Sequence, residues 1–299
     1  MVSTVCRIGC PVWAHAPWVG RFFTTEARRE EFLPQYASVF ATAEGNATFY
    51  GLPAAETVKR WAEEVPERFR FCLKFPRTIS HDAQLVGAGA GNGDETRRFF
   101  ERVEPLAQSG KLGPFFLQLH QSFDARRIGV LREFLDTLPR EFAYAVEVRH
   151  ADFYDGAAKE KALDEVLGER GVDRVIFDTR GLFASKATDE ATLDAKRRKP
   201  KSPVRLTVTG KRPFVRFVGD PDVTKNDAAL ETWAGVVARW IAEGREPYFF
   251  THHPDDVHAP ELGRRFQRML HARTPEKVPE PAVWPCEKEP RRPNQLSLF

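Results

Sequence analysis

Long apolar runs are missing from this 299-residue chain. No stretch approaches the roughly 18 apolar residues a membrane span requires, and the N-terminus lacks a basic region followed by an apolar one. Cysteine is scarce: Cys6, Cys10, Cys72 and Cys286 form neither a Cys-x-x-Cys pair nor the dense spacing of a secreted disulfide scaffold. These absences point to a reducing compartment and a soluble cytoplasmic protein. No Gly-x-Gly-x-x-Gly follows the first candidate strand, and neither a P-loop nor a His-Glu-x-x-His occurs, which lowers the expectation of a nucleotide-cofactor fold or a zinc-protease helix. Repeats with the period of about 20 to 50 residues that marks solenoids are also lacking. The formal net charge is only +3, so charge alone does not assign nucleic-acid binding.

What the chain has is apolar bulk in short, spaced pieces. Hydrophobic residues make up 42% and aromatics 12%, with 24 Phe among them, enough for a sizeable core. Eight short apolar runs read as strands: 5–10, 41–46, 69–75, 114–119, 143–149, 174–178, 214–218 and 247–251. Helical stretches lie at 25–40, 53–64, 94–108, 125–138, 159–168, 228–242 and 259–273. Strands alternating with helices pair in parallel, and eight such units predict an α/β fold of the (β/α)8 TIM-barrel type over residues 1–273. An open doubly wound sheet is the alternative.

In a barrel strand, side chains alternate between the interior and the helix-covered outside. With apolar residues assigned to the outside, the residues between them point inward. These are Glu44 and Asn46 on the second strand, Cys72 and Lys74 on the third, and Phe116, Gln118 and His120 on the fourth. The fifth gives Ala145, Glu147 and Arg149; the sixth gives Asp178, with Val175 and Phe177 outside; the seventh gives Arg216. They gather near the C-terminal strand ends, where barrel enzymes assemble their sites. Glu44, Glu147 and Asp178 are the candidate catalytic acids and bases. Lys74, Arg77, Arg149 and Arg216, with Gln118 beside them, are expected to bind phosphate or another polyanion, Arg by its fork and Lys as a point charge. The alternative is a closed ion-pair network that shapes the barrel and binds nothing, since unpaired buried ions cost several kcal/mol.

A divalent metal ion is a sharper expectation. Glu44, Glu147, Asp178, His252, His253, Asp255, Asp256 and His258 offer oxygen and imidazole ligands for an ion that would activate water against a phosphodiester. Adjacent His252 and His253 point to opposite faces of a regular strand, so at most one enters a common site. Cys10 reads as a buried thiol before a nucleophile. Trp13, Trp18, Phe22, Phe49 and Tyr50 could stack on bases or sugars, though core packing accounts for them equally well.

Outside the strands, residues 195–216 carry Lys196, Arg197, Arg198, Lys199, Lys201, Arg205, Lys211, Arg212 and Arg216 without one Asp or Glu. The first five form the candidate nucleic-acid contact, with a solvated loop as the plain alternative. Residues 274–294 are rich in Pro and in both charge signs and read as a linker. At about 3.1 Å per residue it would reach roughly 65 Å. The last five residues, Gln295, Leu296, Ser297, Leu298 and Phe299, resemble the pentapeptide with which bacterial replication and repair proteins dock on the sliding clamp, Leu298 and Phe299 filling an apolar pocket and Gln295 fixing orientation.

Across the first 270 or so residues, a set of local motifs occurs in consistent order. They are Ile8-Gly9 through Trp13, Asn46-Ala47-Thr48-Phe49-Tyr50 with Leu52-Pro53, Trp61, Phe71 through Arg77, Gln118 through Phe123, and Glu147-Val148-Arg149-His150. In these the chain resembles the YecE-like family, a domain of unknown function. The resemblance implies a TIM-barrel-like fold, similar in architecture to barrel nucleases of the endonuclease IV type, and no established reaction. His120-Gln121 stand where the family usually has two prolines, and Thr251-His252-His253 where it usually has asparagines. Taken together, tail, basic segment and charged rim predict a clamp-tethered, DNA-associated factor, a phosphodiesterase or repair-type hydrolase. The alternatives are a non-catalytic nucleic-acid-binding module and a barrel enzyme for a sugar or phosphorylated metabolite.

Overall fold

The computed structural model describes residues 5–89 and 94–290. Its strands are β1 (Arg7–Cys10), β2 (Thr42–Gly45), β3 (Arg70–Leu73), β4 (Phe115–Gln118), β5 (Tyr144–Glu147), β6 (Asp173–Asp178), β7 (Phe214–Val218) and β8 (Tyr248–His252). They pair in parallel in the order β3-β2-β1-β8-β7-β6-β5-β4. The two edges meet: Phe71 bridges Leu112, Lys74 bridges Phe116, and Phe75 N–H donates to Phe116 O at 2.9 Å. The sheet thereby closes into the TIM-type barrel that the strand count predicts. Gly9 is required at the β1–β2 seam, where a Cβ would stand 2.1 Å from the Thr42 carbonyl oxygen.

The helices are α1 (Phe32–Val39), α2 (Ala47–Tyr50), α3 (Ala55–Glu64), α4 (Asp94–Gln108), α5 (Ile128–Thr137), α6 (Ala158–Gly168), α7 (Arg180–Ala184), α8 (Glu190–Arg198), α9 (Asp227–Ala242) and α10 (Ala259–Arg273). Their inner faces follow helical spacing; in α3, Val58, Trp61 and Ala62 are the buried residues. The long helix expected over 25–40 shortens to α1, preceded by a 3-10 turn over Arg29–Glu31 and by a loop that sends Trp18, Phe22 and Phe23 into the core.

Two layers fill the barrel. The lower part is an apolar plug of Cys72, Phe116, Ala145, Val175, Phe214, Tyr248 and Phe250, with Phe116 and Phe214 stacked at 5.5 Å and Phe214 against Phe250 at 4.8 Å. Each such ring contributes about 2–3 kcal/mol by leaving water. A polar network gathers above the plug, at the C-terminal strand ends.

Beyond α10 the chain behaves differently from the linker expected over 274–294. As far as residue 290 it returns along α10: His271 Nδ1 meets Val278 O at 2.7 Å, Gln267 Nε2 donates to Pro279 O at 3.1 Å, and Arg264 grips Glu287 at 2.7 and 2.8 Å. The Arg264 guanidinium lies 3.6 Å from the centre of the Trp284 ring, which packs on Phe22. Glu289 then accepts from Thr25 N–H at 2.9 Å, on the loop after β1, so this strap ends on the rim side of the barrel. Residues 295–299, the pentapeptide, lie outside the described residues. No helix among the described residues is long and apolar enough to cross a membrane.

Candidate functional site

Parallel register carries the polar residues to one level. Glu44 pairs across to Cys72, Gln118 to Glu147, Phe177 to Arg216 and Val218 to His252, and residues in register share a face. Arg216 is the hub. Its Nε and Nη2 donate to the two oxygens of Glu44 at 2.7 and 3.0 Å, and Nη1 donates to Glu147 at 2.6 Å. Its guanidinium lies between the rings of Phe116 and Phe177, 4.8 Å from each centre. Glu147 also accepts from Arg149 Nε at 2.8 Å, and Glu44 from Asn46 Nδ2 at 3.2 Å, with His252 Nε2 3.2 Å away.

A second group stands beside this network. Lys74 Nζ donates to Gln118 Oε1 at 3.0 Å and sits 3.9 Å from the centre of the Phe49 ring. Arg149 Nη2 donates to the same amide oxygen at 2.9 Å, and the Gln118 amide nitrogen lies 3.4 Å from His81 Nε2. Among the described residues no carboxylate forms an ion pair with Lys74, and Arg149 Nη1 has no hydrogen-bond partner.

These contacts set the protonation states. Burial works against ionisation of Glu44, but Arg216 and His252 outweigh it and hold the carboxyl well below the usual range. Glu147 is buried too, and Arg216 with Arg149 lowers it in the same way. Lys74 has the opposite fate: burial, and then repulsion from Arg216, bring it down to about 7. His81, lowered to about 4 by burial and by Lys74, is neutral at physiological pH. Three bases, Lys74, Arg149 and Arg216, thus face two acids.

Asp178 does not belong here. Val175 and Phe177, expected outside, face the interior, and Asp178 turns out to the helix layer, where Trp233 Nε1 donates to it at 2.8 Å and Arg180 Nη2 at 2.8 Å. Its role is to satisfy a buried indole. Asp178→Ala is expected to cost about 1–3 kcal/mol in a denaturant titration. A loss under about 0.5 kcal/mol, the range of ordinary surface substitutions, would mean that the indole contact holds nothing.

The expected metal set is dispersed. Glu44 and Glu147 give their oxygens to guanidinium groups, Asp178 faces outward, and His253 contacts Asp255 at 2.5 Å and Pro221 O at 3.1 Å on the loop after β8. Among the described residues, no three His, Cys, Asp or Glu side chains come together as ligands. The donors present therefore do not fit a divalent ion.

Arg77 stands apart from the network, paired with Asp82 at 3.2 Å on the surface. Three residues of the basic run are engaged by acids far from them in sequence: Arg205 with Glu160 at 2.9 Å, and Lys211 and Arg212 with Glu246 at 2.7 and 3.2 Å. Lys196, Arg197 and Arg198 form the last turn of α8, a favoured place for cations, with Lys196 donating to Ser185 O at 2.7 Å and both arginines on Asp194. Burial lowers Lys199, and Lys201 lies 5.9 Å from the centre of the Phe183 ring.

Cys10 is fully buried, and burial pushes its thiol up, which makes it inert. Trp18 and Phe22 are core, Tyr50 is exposed, and Phe49 serves the site as the floor under Lys74. Trp13 lines a cavity of about 550 Å³ together with Trp61, Phe32, Arg60, Asn46 and Glu44, which opens beside the ion network. Sequence reasoning missed His81, which sits in the π-helical turn Thr78–Asp82 after β3, and missed Phe177 through the reversed face of β6. His252 was legible only as a metal ligand; strand parity alone would have placed it inward with Phe250.

Comparison with known proteins is consistent across three measures. Residues 7–285 match the family model "Protein of unknown function DUF72". The chain is 40% identical over 292 residues to "UPF0759 protein YecE" of Escherichia coli K12, covering 98% of this chain and 99% of that one. Among solved structures it resembles a DUF72 family protein (EF0366) of Enterococcus faecalis V583, with TM-score 0.66 and 21% identity over 89% of this chain and 97% of that one. It also resembles a DUF72 family protein (TM1631) of Thermotoga maritima MSB8, with TM-score 0.64 and 18% identity over 89% and 99%. With a family model spanning the barrel and relatives matched end to end, the chain belongs to the DUF72 family.

Proposed function

We propose that this protein acts on a phosphate-bearing ligand at the C-terminal rim of its barrel, and that its terminal pentapeptide brings that rim to DNA by docking on the sliding clamp. One observation carries the first half: among the described residues Lys74 is a buried rim amine without a carboxylate partner, next to an Arg149 fork with Nη1 unengaged. Arg216 is already neutralised by two carboxylates and serves to fix the network, leaving Lys74 and Arg149 to receive an anion.

The second half rests on the sequence Gln295-Leu296-Ser297-Leu298-Phe299 and on where the strap leads. The chain reaches residue 290 on the rim side, so a tail continuing from there starts on the face that carries the site. In sequence only residues 291–294 separate that point from the pentapeptide. Clamp docking would then hold the rim close to the duplex, raising its local concentration toward the millimolar range.

A second reading, a barrel enzyme for a phosphorylated small molecule, is favoured by the cavity at Trp13 and Trp61, whose size is that of a small-ligand site. Two measurements test and separate them. Deleting Gln295 through Phe299 is expected to abolish co-purification with the clamp and leave the barrel folded. Binding of inorganic phosphate and of a short single-stranded oligonucleotide is expected to weaken about tenfold in Lys74→Met, with the salt dependence of phosphate contacts. Clamp binding that survives the deletion ends the tethering claim, and anion binding indifferent to Lys74 ends the site.

A further inference from the structure

The surroundings of Lys74 do more than leave a charge unpaired. An ammonium is best held by several oxygen acceptors, yet Lys74 Nζ has one neutral amide oxygen and the face of Phe49. That same oxygen is shared with the Arg149 guanidinium, which repels a second positive charge. Half-buried His81 borders the niche, edge-on to Phe49 with ring centres 4.9 Å apart. Such a niche favours the uncharged amine, whose lone pair is nucleophilic, in the way desolvation and cationic neighbours activate lysines for attack on carbonyls.

We propose that Lys74 is a covalent nucleophile, forming an imine with the carbonyl carbon of an aldehyde or ketone that also carries a phosphate. The proposal rests on the rim anion site argued above, with Arg149 taking the phosphate. The lone pair of the neutral amine forms the C–N bond while the carbonyl π pair moves to oxygen. That oxygen takes a proton and the nitrogen gives one up, leaving a carbinolamine. A second proton on the same oxygen lets the C–O bond break, water leaves, and the nitrogen lone pair completes C=N as an iminium, whose remaining N–H proton is given up to replace the one the oxygen took. Amine and carbonyl become imine and water, with no change of oxidation state. His81, neutral and joined to the niche through Gln118, is placed to carry the proton from nitrogen to the departing oxygen. The chemistry is shared by a free sugar phosphate and by the ring-opened sugar of an abasic DNA strand.

The test uses the full-length protein with sodium borohydride, which reduces an imine to a stable secondary amine that peptide mass mapping locates. Glycolaldehyde phosphate, phosphate-free glycolaldehyde and an abasic single-stranded oligonucleotide are the three probes. With at least one phosphate-bearing probe, Lys74 is expected to be labelled about tenfold faster than any other lysine, and glycolaldehyde about tenfold more slowly. Labelling should rise through about pH 7 to a plateau, following the deprotonated fraction of Lys74. Lys74→Arg should remove the adduct. Which phosphate-bearing probe reacts faster assigns the source of the carbonyl. A wild-type protein that binds inorganic phosphate but gives no preferential Lys74 adduct overturns the imine and spares the anion site. Failure of both phosphate binding and labelling overturns the two together.

Discussion

Arg216→Met is expected to lower the stability of the folded chain by about 3–5 kcal/mol, the loss typical of leaving buried charge uncompensated. Arg216 makes three hydrogen bonds to two carboxylates, and both carboxylates are fully buried. Methionine keeps the bulk between Phe116 and Phe177 but leaves Glu44 to His252 and Asn46, and Glu147 to Arg149 alone. Adding Glu44→Gln to Arg216→Met should recover part of the loss, since a neutral amide is cheaper to bury than a lone carboxylate. The pH dependence follows by linkage. The folded carboxyls of Glu44 and Glu147 lie below their unfolded values, so their contribution is present above about pH 4.3 and fades as pH falls through the folded values. In Arg216→Met that acid-side contribution should shrink. Denaturant midpoints measured between about pH 2 and 8 check both statements. A loss under about 1 kcal/mol would mean that the hub is not what holds the rim.

Lys74→Met is expected to do the reverse and stabilise the protein, by on the order of 3 kcal/mol at pH 6. The folded amine titrates near 7 and an unfolded lysine near its ordinary value. The unfolded chain therefore binds more protons between those limits, and wild-type stability climbs as pH rises from about 7 to about 10. Below pH 7 the ammonium is buried at full cost; only above about pH 11 is the amine neutral in both states, and there the advantage of methionine should vanish. The signature is a difference between variant and wild type that closes with rising pH. A Lys74→Met protein less stable than wild type at pH 6 would show the lysine to be a structural support. A stabilising loss of a rim lysine is what a site kept for function rather than for folding should give.

Much of this molecule was legible beforehand, and the misses have a common cause. All eight strands fall where short apolar runs mark them, and β7 matches the expected 214–218 because its alternation is clean, with Val215 and Phe217 outward and Arg216 inward. The same rule places Glu44, Lys74, Gln118, Glu147 and Arg149 at the rim. It fails on β6. There both faces are buried, Val175 in the plug and Ile176 in the outer core, so hydrophobicity carries no sign of which face is inside. Asp178 was misplaced for that reason: the one clue, a partner indole at Trp233, lies 55 residues away. The basic segment was legible only as charge, because the acids paired with Arg205, Lys211 and Arg212, namely Glu160 and Glu246, come from other parts of the chain. Residues 274–290 read as a tether because Pro and charge outweigh apolar content locally, whereas one cation–π contact and one bidentate ion pair anchor them to α10.

By itself the sequence determined the class of fold, the number of strands and most of the side chains that could reach the rim, since period-two alternation and strand–helix alternation are local properties of the chain. Only the tertiary structure decided how those side chains divide their charge. Coulombic pairing depends on distances of a few ångströms between strands far apart in sequence, and that geometry neutralises Arg216 while leaving Lys74, among the described residues, without a carboxylate.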